Sequence, residues 1–236
     1  MKKAPLGVIV SPISIIILIC FLFTGIGSSK VITVISENAP VVRQNCIIID
    51  AGHGGLDGGS TSCTGVLESG INLEIALKLD DLFHLLGINT LMIRTTDCSI
   101  HTKGDSIASK KVSDLKERVR IVNNTANSIL ISIHQNHFPD SKYNGAQIFY
   151  APTESSQILA TQLQTAFVTN LNPGSNRKAK KADGIYLMQN ITRPGILVEC
   201  GYLSNHIEEA KLRDFKYQQN ICCVIAGTVS SFLYST

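Results

Sequence analysis

Charge is what this sequence has least of. Only 17% of its 236 residues are Asp, Glu, Lys or Arg, against about a quarter in an ordinary soluble domain. The shortfall is concentrated at the start, where no charge occurs from Leu6 to Gly27 and the apolar run Ile15-Ile16-Ile17-Leu18-Ile19-Cys20-Phe21-Leu22-Phe23 falls. About 20 apolar residues suffice to cross a hydrocarbon core, so residues 1–27 are expected to form a membrane anchor. Lys2 and Lys3 precede the run, and positive charge stays cytoplasmic, which predicts export of the remainder. A cleaved signal peptide is the alternative reading. Its small-residue cleavage pattern is missing, with Gly25-Ile26-Gly27 the nearest substitute, and an uncleaved anchor is preferred. Cys20 follows Ile19 rather than the small residue expected at a lipidation site.

Other absences narrow the function. With Lys2 and Lys3 set aside, the net charge falls from +3 to +1, and no basic run occurs beyond Arg177-Lys178-Ala179-Lys180-Lys181. A nucleic-acid binder would normally carry a basic stripe, so no nucleic-acid partner is expected; the Arg177 to Lys181 run reads as a solvated loop. The patterns G-x-x-x-x-G-K-[ST], H-E-x-x-H and G-x-S-x-G are all missing, which removes three common enzyme designs. The seven cysteines include no C-x-x-C pair. Most read as small core hydrophobes, with a Cys63–Cys98 bridge left open. There are no repeats, and the length after residue 27 suits one domain.

What is there has the rhythm of an α/β protein. Residues 28–45 mix polar residues with a short apolar run and a proline, as a tether would. Cys46 to Asp50 is a β-branched run expected of a strand buried on both faces. Ile71, Ile75, Leu79, Leu82 and Leu86 recur at helical spacing, with Gly87 where a C-cap belongs. Strands are predicted over Ile88–Arg94, Ile129–Ile133, Gly145–Tyr150, Ile185–Met188 and Ile196–Val198. Helices are predicted over Ser113–Ala126, Glu154–Thr169 and Tyr217–Leu233, with an Asn205/Glu208 capping pattern near His206. Alternating strands and helices imply an α/β single domain, a mostly parallel twisted sheet with helices on both faces, over residues 46–236.

Reactive groups in such a sheet collect at the carboxyl ends of strands. His53, His134 and Glu199 each follow an apolar strand run. The turn Gly52-His53-Gly54-Gly55-Leu56-Asp57-Gly58-Gly59 departs from G-x-G-x-x-G at Asp57, which would also repel a pyrophosphate. A metal reading fits better: imidazole and carboxylate are ordinary zinc ligands, and a catalytic site keeps three of them with one position open. His53 and His134 are two candidates. Glu68, just before the strongest helix, is the third, although a carboxylate there would also favour the helix dipole without any metal. Cys200 beside Glu199 ranks low as a thiol nucleophile, since no Cys–His pairing is indicated. His84, His101 and His206 read as surface residues.

Four segments resemble the signature blocks of the zinc-dependent N-acetylmuramoyl-L-alanine amidases of type 3. They are Ile49-Asp50-Ala51-Gly52-His53-Gly54-Gly55, Leu67-Glu68-Ser69 with Asn72-Leu73, Ser132-Ile133-His134-Gln135-Asn136, and Val198-Glu199-Cys200-Gly201-Tyr202-Leu203-Ser204-Asn205. They come in the family's order and spacing, and Arg94-Thr95-Thr96-Asp97 and the helix from Leu115 also match. The resemblance implies one zinc ion held by His53, Glu68 and His134, with Glu199 as catalytic acid/base. The bond cut would be the amide between N-acetylmuramic acid and L-alanine in peptidoglycan. Gln135 and His137 stand where the family often has alanines, so His137 either perturbs the metal site or faces solvent.

One anchor and one bare catalytic domain are similar to the CwlD-like amidases of endospore formers, which prepare spore cortex for muramic-δ-lactam formation and germination. That resemblance implies a membrane-anchored, extracytoplasmic enzyme around the forespore and, as in other members, a possible accessory activator protein. The rival reading is a degenerate amidase-like domain that binds peptidoglycan or regulates a partner; the presence of Glu199 counts against it.

Overall fold

The computed structural model describes residues 45–235. The expected anchor at 1–27, and the 28–45 tether apart from its last residue, lie outside them. Among the described residues no helix is long and apolar enough to cross a membrane.

Ile47, Ile48 and Ile49 have no room for water on either side, and they form the middle of strand β1 (Cys46–Ala51). Helix α1 (Glu68–Leu85) follows, then β2 (Thr90–Met92), α2 (Ile107–Asn124), β3 (Ser128–Asn136) and β4 (Gln147–Tyr150). The chain continues through α3 (Glu154–Asn170), β5 (Lys180–Lys181), α4 (Tyr186–Asn190), β6 (Gly195–Tyr202), α5 (His206–Leu212) and α6 (Phe215–Ser235). The six strands make one sheet in the order β2-β1-β3-β6-β4-β5. β2, β1, β3 and β6 are parallel, while β4 runs antiparallel to β6 and β5 follows β4. The sheet is therefore mixed, with four adjacent parallel strands that carry the site.

Strand side chains alternate between faces. Ile47, Ile49, Ile131, Ile133, Ile196 and Val198 pack on α1, α3 and α6 through residues such as Leu79, Leu163 and Ile225. Ile48, Leu130 and Leu197 point the other way and meet Val122 of α2 and Leu187, Met188 and Ile191 around α4. Helices thus cover both faces, as expected. The α1 stop signal is also as expected. Gly87 has φ +72, its N–H donates to the His84 carbonyl, and the Ile88 N–H reaches back to the Phe83 carbonyl. These are the paired bonds of a Schellman turn.

Four expectations are corrected. Ile185 to Met188 is not a strand; it opens α4, because a four-residue apolar run carries no period that separates strand from helix. α2 begins at Ile107, six residues before Ser113, since Ser106 and Ser109 cap each other's backbone in a box that uses serine where Glu or Gln is usual. Asn205 does cap α5, but Glu208 does not complete the box, because its Oε2 accepts from the Gly145 and Tyr202 N–H groups. Lys180 and Lys181 of the basic run form the short edge strand β5. Cys63 and Cys98 are free thiols, as are the other four described cysteines, while Cys200 and Cys222 are buried as small core residues.

Candidate metal centre and active site

The parity of the sheet decides where the chemistry sits. Asp50, Ser132, His134 and Glu199 lie two-residue steps beyond Ile48, Leu130 and Leu197, so all four point to the α2 and α4 face. His134 and Glu199 are register partners on β3 and β6, which puts imidazole and carboxylate side by side. Both are within strands rather than after them. Immediately beyond, the register slips so that Asn136 pairs with Tyr202, and the strands part.

His53 is brought in by the loop after β1. Its own φ is +62, a left-handed conformation that a side chain adopts only when its surroundings impose it. Two buried arginines do so. Arg118 Nη2 donates to the His53 carbonyl at 2.8 Å. Arg94 donates to the carbonyls of Ala51 (2.7 Å), Gly52 (3.0 Å) and Ser69 (2.9 Å). Arg118 is in turn paired with Asp50, and with Asp114 at 2.6 Å. The glycines allow the close approach: a Cβ on Gly52 would lie 2.2 Å from His134 Nε2, and one on Gly59 2.7 Å from Glu68 Oε2.

Glu68 is the first residue of α1 and only 2% exposed. It does not cap its own helix. Oε1 faces His134 Nδ1 at 3.0 Å and His53 Nε2 at 3.3 Å and accepts from the Gln135 N–H at 3.1 Å; Oε2 accepts from the Ser60 N–H at 3.0 Å. Asn72, one turn along, donates to Glu68 Oε1 and to the Gly52 carbonyl. Gln135 donates to Asn72. Gln135 therefore braces the centre, whereas His137 is exposed and outside it.

The three side chains expected as ligands meet: one donor atom from each of His53, Glu68 and His134 lies within 4.8 Å of the others, and the two rings stand edge to face at 4.9 Å. Two imidazoles and one carboxylate are a donor set that fits zinc with a position left open. His53 turns Nε2 into the centre and Nδ1 outward to Asp57 Oδ2 at 3.0 Å. Asp57 is itself paired with Lys111 of α2 at 2.6 Å. A carboxylate behind a ligating imidazole is the usual way that ring is oriented.

Electrostatics follow the geometry. Burial alone would raise the Glu68 pKa, but the hydrogen bonds from His134 and His53 hold it well below the usual carboxylate range. Burial works against a charged His53, yet Glu68 and Asp57 outweigh it and lift the ring to about 9. Both shifts show a pocket that draws positive charge. Glu199 behaves oppositely: burial, with Glu68 adding and the two histidines opposing, pushes it up to about 7. Its Oε2 is enclosed without a hydrogen-bond partner. The buried thiol of Cys200 is pushed well above its ordinary value, which suits a core residue and not a nucleophile.

The remaining histidines stay apart from the centre. His84 and His206 are exposed as expected; His101 is instead half-buried, with Nδ1 2.8 Å from Ser99 Oγ. Sequence reasoning gave no role at the centre to Asp57, Lys111 or the Asp50–Arg118–Asp114 cluster. The i,i+4 spacing of Asp114 and Arg118 on one helix was a visible signal; the pairing of Lys111 with Asp57 had none.

The family model described as N-acetylmuramoyl-L-alanine amidase matches residues 47–231, a span that contains every group just described. The chain belongs to that family. This amidase is 38% identical over 181 residues to the germination-specific N-acetylmuramoyl-L-alanine amidase of Bacillus subtilis, covering 76% of each chain. It is 29% identical to the LytC amidase of Bacillus subtilis, covering 82% of this chain and 36% of that one. Among solved structures it is similar to the CwlD amidase of Clostridioides difficile in complex with the GerS lipoprotein. There the identity is 35% and the TM-score 0.78, over 81% of this chain and 100% of that one.

Proposed function

We propose that this amidase is zinc-dependent, with His53, Glu68 and His134 holding the ion and Glu199 acting as general acid/base, and that its substrate is spore-cortex peptidoglycan. The observation that carries the reading is the convergence of the three donor atoms within 4.8 Å, with Glu199 beside them as the strand-register partner of His134. Zinc, when bound, lowers the pKa of water to about 7 and polarises a carbonyl. Glu199 accepts a proton from the attacking water and delivers it to the L-alanine nitrogen as the amide to the lactyl group of N-acetylmuramic acid breaks. Asp57 keeps the His53 ring turned inward, and Arg94 and Arg118 keep its loop in place.

The cortex assignment, with muramic-δ-lactam formation as the step that follows, is supported by the germination-specific relative. An accessory activator protein is supported by the neighbour solved with a lipoprotein. The apolar stretch before Gly27 supports a membrane-anchored enzyme whose catalytic domain faces the space around the forespore.

The test is to incubate the zinc-loaded full chain with peptidoglycan and count new L-alanine N-termini. Glu199→Ala should lower the yield by about 10²–10⁴-fold while retaining zinc, and His134→Ala should lose the zinc itself. Equal yields from the wild type and Glu199→Ala would overturn the proposal.

A further inference from the structure

His53 and His134 of the metal centre line a cavity of about 410 Å³. One wall is α2, with Lys111 and Leu115; the facing wall is the turn at Gly184 and the start of α4, with Ile185 to Leu187. Among the described residues of the lining, Tyr186 is the one aromatic side chain besides the two histidines. It is 39% exposed, whereas its neighbours Leu187 and Met188, and Ile191 just past the helix, are buried in the core. The far end of α4 is tied to α2, as Asn123 Nδ2 donates to the Asn190 carbonyl and its Oδ1 accepts from the Thr192 N–H. The sequence thus spends a core-anchored turn of helix on holding one aromatic ring at the groove.

The charge of the walls says which part of the substrate lies there. Its described residues include three carboxylates, Asp50, Asp57 and Asp114, against two cations, Lys111 and Arg118. The cations are already paired with those carboxylates. The carboxylates of a stem peptide gain nothing from such walls. The sugar is different: once its lactyl carboxyl is an amide, N-acetylmuramic acid is neutral, and its ring carries a face of C–H groups that packs on an aromatic surface.

We propose that Tyr186 is the platform on which the N-acetylmuramic acid ring stacks, so that the groove between α2 and α4 is the sugar subsite and Tyr186 a specificity-determining residue. The inference rests on the amidase reading of the same site, because it takes the scissile amide to lie over His53 and His134. Stacking requires the ring and not the hydroxyl, so phenylalanine should serve as well as tyrosine.

Two substrates separate the parts, both assayed with the zinc-loaded full chain. One is a disaccharide-peptide; the other is D-lactoyl-L-alanyl peptide, which keeps the scissile amide and lacks the sugar. Tyr186→Ala should lower kcat/KM about tenfold on the first, mainly through KM, and leave the second within about twofold. Tyr186→Phe should match the wild type on both, and zinc content should be the same in all three proteins. Equal losses on both substrates, or none on either, would overturn the proposal.

A binding arm is independent of turnover. Saturation-transfer NMR with a peptide-free disaccharide capped as its methylamide should show contact in the wild type and lose it in Tyr186→Ala. Binding of this kind without cleavage of either substrate would sink the amidase reading and leave the subsite standing. Cleavage with binding that ignores Tyr186 would do the reverse.

Discussion

Glu199 is kept near neutrality by its place in the molecule. Its ordinary pKa is 4.5 and burial takes it to about 7, so in the metal-free protein folding favours its protonated form. The sign follows: the stabilising share of that proton is fully present below about pH 4.5 and is lost as pH rises through 7. Glu199→Gln, neutral throughout, should therefore unfold at higher denaturant than the metal-free wild type above pH 7, by roughly 1–3 kcal/mol. The difference should vanish near pH 4. Urea titrations at the two pH values measure it, and a pH-independent difference would refute the linkage. Asp57 acts at the same scale by orienting His53. Asp57→Asn should weaken zinc affinity about 10–100-fold in a chelator competition; unchanged affinity would show that the ring needs no such brace.

At the scale of elements, the site depends on a loop held from behind. Arg118, on α2, joins Asp50 at the end of β1, Asp114 one turn back, and the His53 carbonyl. All three charged residues are buried. Arg118→Met would leave two carboxylates without their cation, and breaking a buried pair in this way costs about 3–5 kcal/mol. The expected outcome is a large drop in the denaturant midpoint of the metal-free protein; a drop of under 1 kcal/mol would mean that the cluster relaxes into water. The i,i+4 spacing on α2 was readable in advance. Its pairing with Asp50, 68 residues earlier in the chain, was not, because that contact exists only when α2 packs over the β1 end of the sheet.

For the whole molecule, a ligand set drawn from the loop after β1, from α1 and from β3 makes metal binding a tie between distant parts of the chain. Zinc binds only the assembled site, so at about 1,000 times its Kd it should add about 4 kcal/mol. Removal by a chelator should lower the Tm of the described domain by about 10 °C. Calorimetry with and without chelator tests this, and an unchanged Tm would mean that the three side chains do not hold the ion.

The order of strands and helices was legible in the sequence because burial imposes periods of two and 3.6 residues on it. His53, His134 and Glu199 could be picked out because each follows an apolar strand run, where a polar residue needs a reason, and Glu68 because it stands just before the strongest helix. Short elements escaped, as at Ile185 to Met188, because four residues fix no period. The inward turn of His53, the Lys111–Asp57 support behind it and the Tyr186 wall facing α2 belong to tertiary structure alone. They are set by which helix covers which face of the sheet, and that packing joins residues that no local spacing relates.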